Sequence, residues 1–221
     1  MGKGSFISPE QRSGIRARVE PIALAMHRAG LTPNMLTLIG FGIASLGGVL
    51  AAFELWILAG IVATAGAGFD MFDGAVARAS GQVSKLGAFM DSTFDRWGEG
   101  VVYVGIVIGA TRAGFDLGAW LAAAALVSAF MVSYTRAKSE SLGFSSGTGM
   151  AAIGFAPREV RTVILGVAVV VAGIFGVTPD LFDLGSLILA IGLGLIAVLA
   201  TITVVQRVRF VTGQDPNPDN T

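Results

Sequence analysis

Asp70-Met71-Phe72-Asp73-Gly74-Ala75-Val76-Ala77-Arg78, and eight residues later Gly87-Ala88-Phe89-Met90-Asp91-Ser92-Thr93-Phe94-Asp95, form the stretch around which the rest of the chain is organised. Four carboxylates fall within 26 residues of a sequence otherwise rich in Ala, Gly, Val, Leu and Ile. An ionised group left unpaired in such surroundings costs several kcal/mol, so a cation must sit among them.

The spacing predicts where these acids point. Asp70 and Asp73 are three apart and Asp73 and Ala77 four apart, so on a helix ending near Arg78 the two acids share a face that Ala77 keeps open. A second helix beginning near Lys85 carries Gly87, Asp91 and Asp95 at i, i+4 and i+8 along one stripe, which Glu99 continues. Antiparallel packing through the short polar turn Ala79 to Ser84 brings the two pairs face to face. Such a cage of hard oxygen ligands suits Mg²⁺ or Mn²⁺ rather than a metal that prefers thiolate or imidazole. Glu99 reads as a structural partner for a cation such as Arg96, or as a layer behind the acids.

Composition sets the environment. The chain has 221 residues, 53% of them hydrophobic and 14% charged, with a mean hydropathy of +0.74, which excludes a soluble globule. Net charge is zero, so the overall balance points to no nucleic-acid partner. With no cysteine, disulfides, thiolate metal sites and a cysteine nucleophile are excluded. Met1 to Gln11 is polar and lacks the apolar run of a signal peptide, so insertion is expected to use internal spans.

Six apolar segments follow: Met35 to Phe53, Leu55 to about Phe69 running on into the acidic motif, about Leu86 to Ala110, Leu117 to about Ser141, Val163 to Val177, and Leu184 to Val205. A bilayer core needs roughly 20 helical residues, and the second and fifth reach that length only by including polar residues at one end. Fourteen of the fifteen Lys and Arg lie in the amino-terminal segment, beside the acidic motif, or at Arg136, Lys138, Arg158, Arg161, Arg207 and Arg209. Only Arg112 belongs to the opposite turns, which hold Glu54, Asp116, Asp180 and Asp183. The positive-inside rule then puts both termini and the motif in the cytoplasm, with the protein in the plasma membrane. The predicted fold is an all-α integral membrane protein with six transmembrane helices plus an amino-terminal juxtamembrane amphipathic helix. Residues 1–30 form the juxtamembrane segment, 31–211 the membrane domain, and 212–221 a polar tail whose composition predicts disorder.

Within residues 9–29, Ile15, Val19, Ile22 and Met26 recur at near-helical spacing beside Arg12, Arg16 and Arg18, with Pro21 as a kink. This helix lies on an anionic membrane face, or packs on the domain's own cytoplasmic side. His27, the single histidine, reads as a surface residue rather than a base. The Gly- and Ser-rich stretch Ser139 to Pro157 is either a loop that closes over substrate or a plain linker.

Arg158 and Arg161 fall in the first turn of a helix that Pro157 opens, three apart on one face. Cations are unfavourable there unless an anion joins them, and the helix terminus itself attracts phosphate. Two arginines at that place predict a bound phosphate, or else a lipid headgroup. Ser133 and Arg136, at the end of the fourth span, and Arg207, at the end of the sixth, point to the same region.

The acidic stretch, written D-x2-D-G-x2-A-R-x8-G-x3-D-x3-D, resembles the signature of the CDP-alcohol phosphotransferase family at all eight fixed positions. The resemblance implies a membrane enzyme that moves a phosphatidyl-type group from a CDP-linked lipid to an alcohol with release of CMP. It implies metal ligation by Asp70, Asp73, Asp91 and Asp95, with two ions for a diphosphate substrate, and Asp95 as the general base. Asp70, Asp73, Gly74, Ala77, Arg78 and Gly87 would hold the CDP-lipid. Ser133-Tyr134-Thr135-Arg136, Arg158 to Arg161 and Arg207 resemble the elements by which one branch holds L-myo-inositol 1-phosphate to make phosphatidylinositol phosphate or archaetidylinositol phosphate. Arg136 departs from the lysine usual in bacterial members. Thr32-Pro33-Asn34-x-x-Thr37 resembles another family element, and equally reads as a helix cap at Thr32 or Asn34. A homodimer is implied as well, and Gly105-x-x-x-Gly109 would permit close helix contact. Glycerol 3-phosphate is the rival acceptor. An ion-coupled transporter is the rival of another class, and it leaves Gly74, Ala77, Arg78 and Gly87 unexplained.

Overall fold

The structure, a computed structural model, describes residues 21–144 and 154–214, without the side chains of Asp70 and Met71. Among the described residues all regular structure is helical: α1 (residues 21–28), α2 (Pro33–Ala52), α3 (Trp56–Gly68), α4 (Asp70–Ala79), α5 (Lys85–Arg112), α6 (Asp116–Ser141), α7 (Arg158–Phe175) and α8 (Leu184–Thr212). All six expected apolar segments are found in helices. Phe69 alone separates α3 from α4, so the second segment does run on into the acidic motif.

Six helices close into a ring. α2 packs on α3 and α5, α5 on α6, α6 on α8, α8 on α7, and α7 back on α3. Small residues make this closeness possible. A Cβ at Gly105 would sit 1.9 Å from the Gly48 carbonyl oxygen and one at Gly109 2.1 Å from that of Ala51, so the Gly105/Gly109 face is spent inside the chain, against α2. The interior is built from Ala, Leu and Ile of every ring helix around Tyr103 and Ile106.

Among the described residues four stretches are long and apolar enough to cross a membrane: Pro33–Ala52, Trp56–Ala79, Asp116–Ser141 and Leu184–Thr212. The protein is therefore a multi-pass membrane protein. α5 and α7 fall outside that count. α5 carries Lys85, Asp91, Asp95, Arg96, Glu99 and Arg112, and α7 is 18 residues long with Arg158, Glu159 and Arg161 in its first turn. These are the two helices that bring charge to the centre of the ring.

Two local arrangements differ from the spacing-based expectation. α4 does not run along α5. It docks on α2, because Val76 is buried with Leu36 of α2 and Ala23 of α1, while the turn to α5 remains mostly exposed. The amphipathic segment before residue 21 lies outside the described residues. Its continuation, α1, buries Ala23 and leaves Ile22 49% exposed, so this piece packs on the domain. His27 is half-buried there. Most of the Gly- and Ser-rich loop (145–153) and the tail 215–221 also lie outside the described residues.

At the far end, the short turns expected near Glu54, Arg112 and Asp180 are present. Arg112, the single basic residue of that end among the described residues, is paired with Glu54 at 3.4 Å and lies over the Phe53 ring.

Candidate active site

α5 and α7 stand on opposite sides of the ring, and long side chains bridge them. Arg158 donates Nη1 to Asp95 Oδ2 at 2.6 Å. One turn deeper, Arg161 meets Glu99 through two bonds, Nε to Oε1 at 3.0 Å and Nη2 to Oε2 at 2.9 Å. The i, i+3 pair of α7 thus meets the i, i+4 pair of α5 rung by rung. The anions that two arginines at a helix amino terminus require are here supplied by the chain itself. Arg161 also donates Nη1 to the carbonyl of Ala156 at 2.8 Å and is 1% exposed. All three of these bonds are to protein, so it stands behind Arg158 rather than at an open surface. Bidentate geometry of this kind is a strong, directional contact.

The upper rung extends to α6. Arg96 donates Nη1 to Asp95 at 3.1 Å and Nε to Ser133 Oγ at 3.0 Å. Asp95 is thereby linked to Arg158 of α7 and to Ser133 of α6 at once. Arg207 is buried and donates Nη1 to the carbonyl of Val132, the residue before Ser133. Arg136 is exposed and pairs with Glu140 at 2.9 Å on its own helix. Of the five residues expected to hold an acceptor phosphate, Arg158 contacts Asp95 and Ser133 is joined to it through Arg96, while Arg207 holds the carbonyl of the residue before Ser133. Arg161 sits beneath them and Arg136 turns aside.

Of the other acids, Asp73 is on α4 and Asp91 on α5, two helices that both pack on α2. Asp73, 5% exposed, accepts from Thr37 Oγ1 at 2.8 Å. Asp91 is half-buried one turn before Asp95. The side chain of Asp70 lies outside the described atoms. Of the two readings of the Thr32 to Thr37 element, the helix cap is present at Thr32. Thr32 caps α2 through the Met35 N–H, and Thr37 holds an acid of the motif. Gly74 lies beside Arg78, where a Cβ would be 3.3 Å from Nη1. Gly87 is capped by Ser84, and a Cβ there would be 3.1 Å from the Ser84 hydroxyl and 3.5 Å from the Asn34 amide oxygen. Thr32, Pro33, Asn34, Gln82, Val83 and Ser84 line a polar cleft at this meeting of α2 with the α4–α5 turn.

A second cleft runs between α2, α3, α5 and α7. Thr37, Asp95, Glu99 and Arg158 are among its polar walls, and the rest is chiefly Gly, Ala, Val and Leu. Among the described residues no three carboxylate or imidazole side chains are gathered into a metal-binding group. The donor chemistry nevertheless fits a hard divalent cation: the motif offers only carboxylate oxygens, one of them deeply buried, and the chain has no thiolate.

Sequence reasoning did not foresee the roles of Arg96 and Thr37. The i, i+1 adjacency of Arg96 to Asp95 and its distance from Ser133 carry no periodic signal. Thr37 meets Asp73 across 36 residues, a contact that its place in the Thr32 to Thr37 element does not signal. Glu99 was expected to pair with a cation, and it does.

An apolar ring of helices with carboxylates and guanidiniums meeting inside it describes a membrane enzyme that handles anionic groups. A family profile described as CDP-alcohol phosphatidyltransferase matches residues 30–206, and the chain belongs to that family, as a phosphotransferase. It is 37% identical over 202 residues to an archaetidylinositol phosphate synthase of Pyrococcus horikoshii, covering 89% of this chain and 92% of that one. The fold matches the crystal structure of phosphatidylinositol phosphate synthase of Mycobacterium tuberculosis with CDP-DAG bound. The TM-score is 0.77 at 29% identity, with 92% of this chain and 97% of that chain covered. A structure of the same mycobacterial enzyme in complex with manganese and citrate matches with TM-score 0.77 at 29% identity, covering 92% of each chain.

Proposed function

We propose that the protein transfers a phosphatidyl or archaetidyl group from a CDP-linked lipid to L-myo-inositol 1-phosphate, releasing CMP. The observation that carries this reading is the 2.6 Å contact between Arg158 and Asp95. It brings a cation suited to an acceptor's phosphate against the last acid of the motif. The relatives' names support the same acceptor.

Asp70, Asp73, Asp91 and Asp95 would hold divalent ions, Mg²⁺ or Mn²⁺, two per site; when bound, these neutralise the donor's diphosphate. Gly74, Ala77 and Gly87 leave room for the nucleotide against backbone, and Arg78 contributes charge to its phosphates. Arg158, with Ser133 and Arg207 nearby, holds the acceptor's phosphate; Arg161 braces it from beneath through Glu99, and Arg136, paired with Glu140, stands aside. A guanidinium has five N–H donors, so one arginine serves a carboxylate and a phosphate together. The acceptor's hydroxyl oxygen bonds to the lipid-bearing phosphorus while the bond from that phosphorus to the CMP oxygen breaks, and the proton passes to an Asp95 carboxylate oxygen.

Both termini and the site face the cytoplasm of the plasma membrane, with α5 and α7 completing six spans. The charge distribution of the turns supports this orientation. The family resemblance supports a homodimer, on a face other than Gly105 and Gly109, which already contact α2.

The test is CMP release by purified protein in detergent with Mg²⁺ and a CDP-lipid, comparing inositol 1-phosphate, free inositol, glycerol 3-phosphate and serine. Release with inositol 1-phosphate alone, abolished by Asp95→Asn, is the expected outcome. Release with glycerol 3-phosphate instead would overturn the acceptor and retain the chemistry.

A further inference from the structure

We infer that Thr203, on α8, is a positioning residue for acceptor binding: its hydroxyl clasps the strand that leads into α7 and thereby sets where Arg158 stands. This rests on the proposed role of Arg158 in holding the acceptor's phosphate.

Thr203 is 0% exposed. Its Oγ1 accepts from two consecutive backbone N–H groups, Phe155 at 3.1 Å and Ala156 at 3.1 Å, and donates to the Leu199 carbonyl at 2.8 Å. Two acceptor sites and one donor are the whole capacity of a hydroxyl, so every one is used. A threonine in a membrane helix ordinarily satisfies itself on its own backbone. Here the same oxygen also reaches a separate segment 47 and 48 residues away.

The clasped strand is short and its consequences are direct. Gly154 has φ +118°, and a Cβ there would lie 2.1 Å from Thr203 Cγ2, so the chain passes over Thr203 at a distance only glycine permits. Ala156 is buried with Val132 of α6 and Ala200 of α8. Its N–H is on Thr203 and its carbonyl receives Arg161 Nη1 at 2.8 Å. Pro157 follows, and its carbonyl takes the Arg161 N–H that closes the first turn of α7. The position of Arg158 is thus fixed from both sides: by the clasp through Ala156 and Pro157, and by Arg161, which Glu99 holds from across the ring. Thr203 also lies one turn before Arg207, so one face of α8 supplies both the clasp and a candidate phosphate ligand.

Thr203→Val removes the hydroxyl and keeps the shape. Steady-state CMP release should show KM for inositol 1-phosphate raised about tenfold, with KM for the CDP-lipid and kcat within about threefold of wild type, since a shift of an ångström at a positioned group has large kinetic effects. Thr203→Ser, which restores the hydroxyl, should return the acceptor KM to near the wild-type value. If Thr203→Val does not yield folded protein, Gly154→Ala, which pushes the strand off Thr203 from the other side, carries the same test and the same expected split. Unchanged acceptor KM in the folded variant, or an equal rise in both KM values, overturns the clasp. Failure of wild-type protein to use any phosphorylated acceptor would overturn the reading of Arg158 and the clasp with it. Use of one by wild type with no selective effect of the variant overturns the clasp alone.

Discussion

The arginine–glutamate pairs Arg161–Glu99 and Arg112–Glu54 each join distant parts of this chain, and they are not equivalent. Arg161 and Glu99, 62 residues apart, meet through two bonds with side chains 1% and 9% exposed. Arg112 and Glu54, 58 residues apart, meet at 3.4 Å with side chains 55% and 39% exposed. The first lies in the ring at the site end and the second tethers two turns at the other. Water and salt screen the outer pair, whereas the inner pair has exchanged its hydration for its partner. The same two residue types therefore make a removable contact at one end and an obligatory one at the other.

The largest expected effect follows from breaking the inner pair on one side. Glu99→Ala strands the Arg161 charge and should lower stability by about 3–5 kcal/mol, read as a fall in melting temperature in detergent. Glu99→Leu combined with Arg161→Met should recover much of that loss, because a packed apolar pair avoids the buried charge. A single variant as stable as wild type would show that the inner pair is no more obligatory than the outer. A smaller effect is expected at the other buried contact of the site, Thr37 to Asp73. Thr37→Val should raise the Mg²⁺ concentration needed for half-maximal CMP release by about 10–100-fold without a matching loss of stability. The smallest is at the far end, where Arg112→Ala should cost less than about 1 kcal/mol. That cost should shrink further in high salt.

How far the sequence carried these conclusions depends on the range of each contact. Gly87, Asp91, Asp95 and Glu99 fall on one helix, so their stripe is a matter of 3.6-residue periodicity and could be read directly. Arg158 and Arg161 were likewise legible as neighbours in a first turn. What periodicity could not supply was which helix faces which across the ring. Arg161 was therefore expected on a phosphate, and it sits on Glu99. The turn from Ala79 to Ser84 suggested that α4 would lie along α5, yet Val76 and Leu36 draw α4 onto α2. Small residues show the same limit: Gly105-x-x-x-Gly109 is legible as a face for close helix contact, but nothing in its spacing names α2 as the helix it meets.

The bridge across the ring also sets an order of events during synthesis. α5, with six charged side chains, is not among the stretches apolar enough to cross a bilayer unaided. The residue that neutralises Glu99 is translated 62 positions later, on α7. On the proposed six-span reading, α5 until then holds a carboxylate that hydrocarbon would penalise. Stable insertion of the middle of the protein is therefore coupled to emergence of its last third, and a nascent chain halted before residue 158 should hold α5 less firmly in the membrane than one halted after α7.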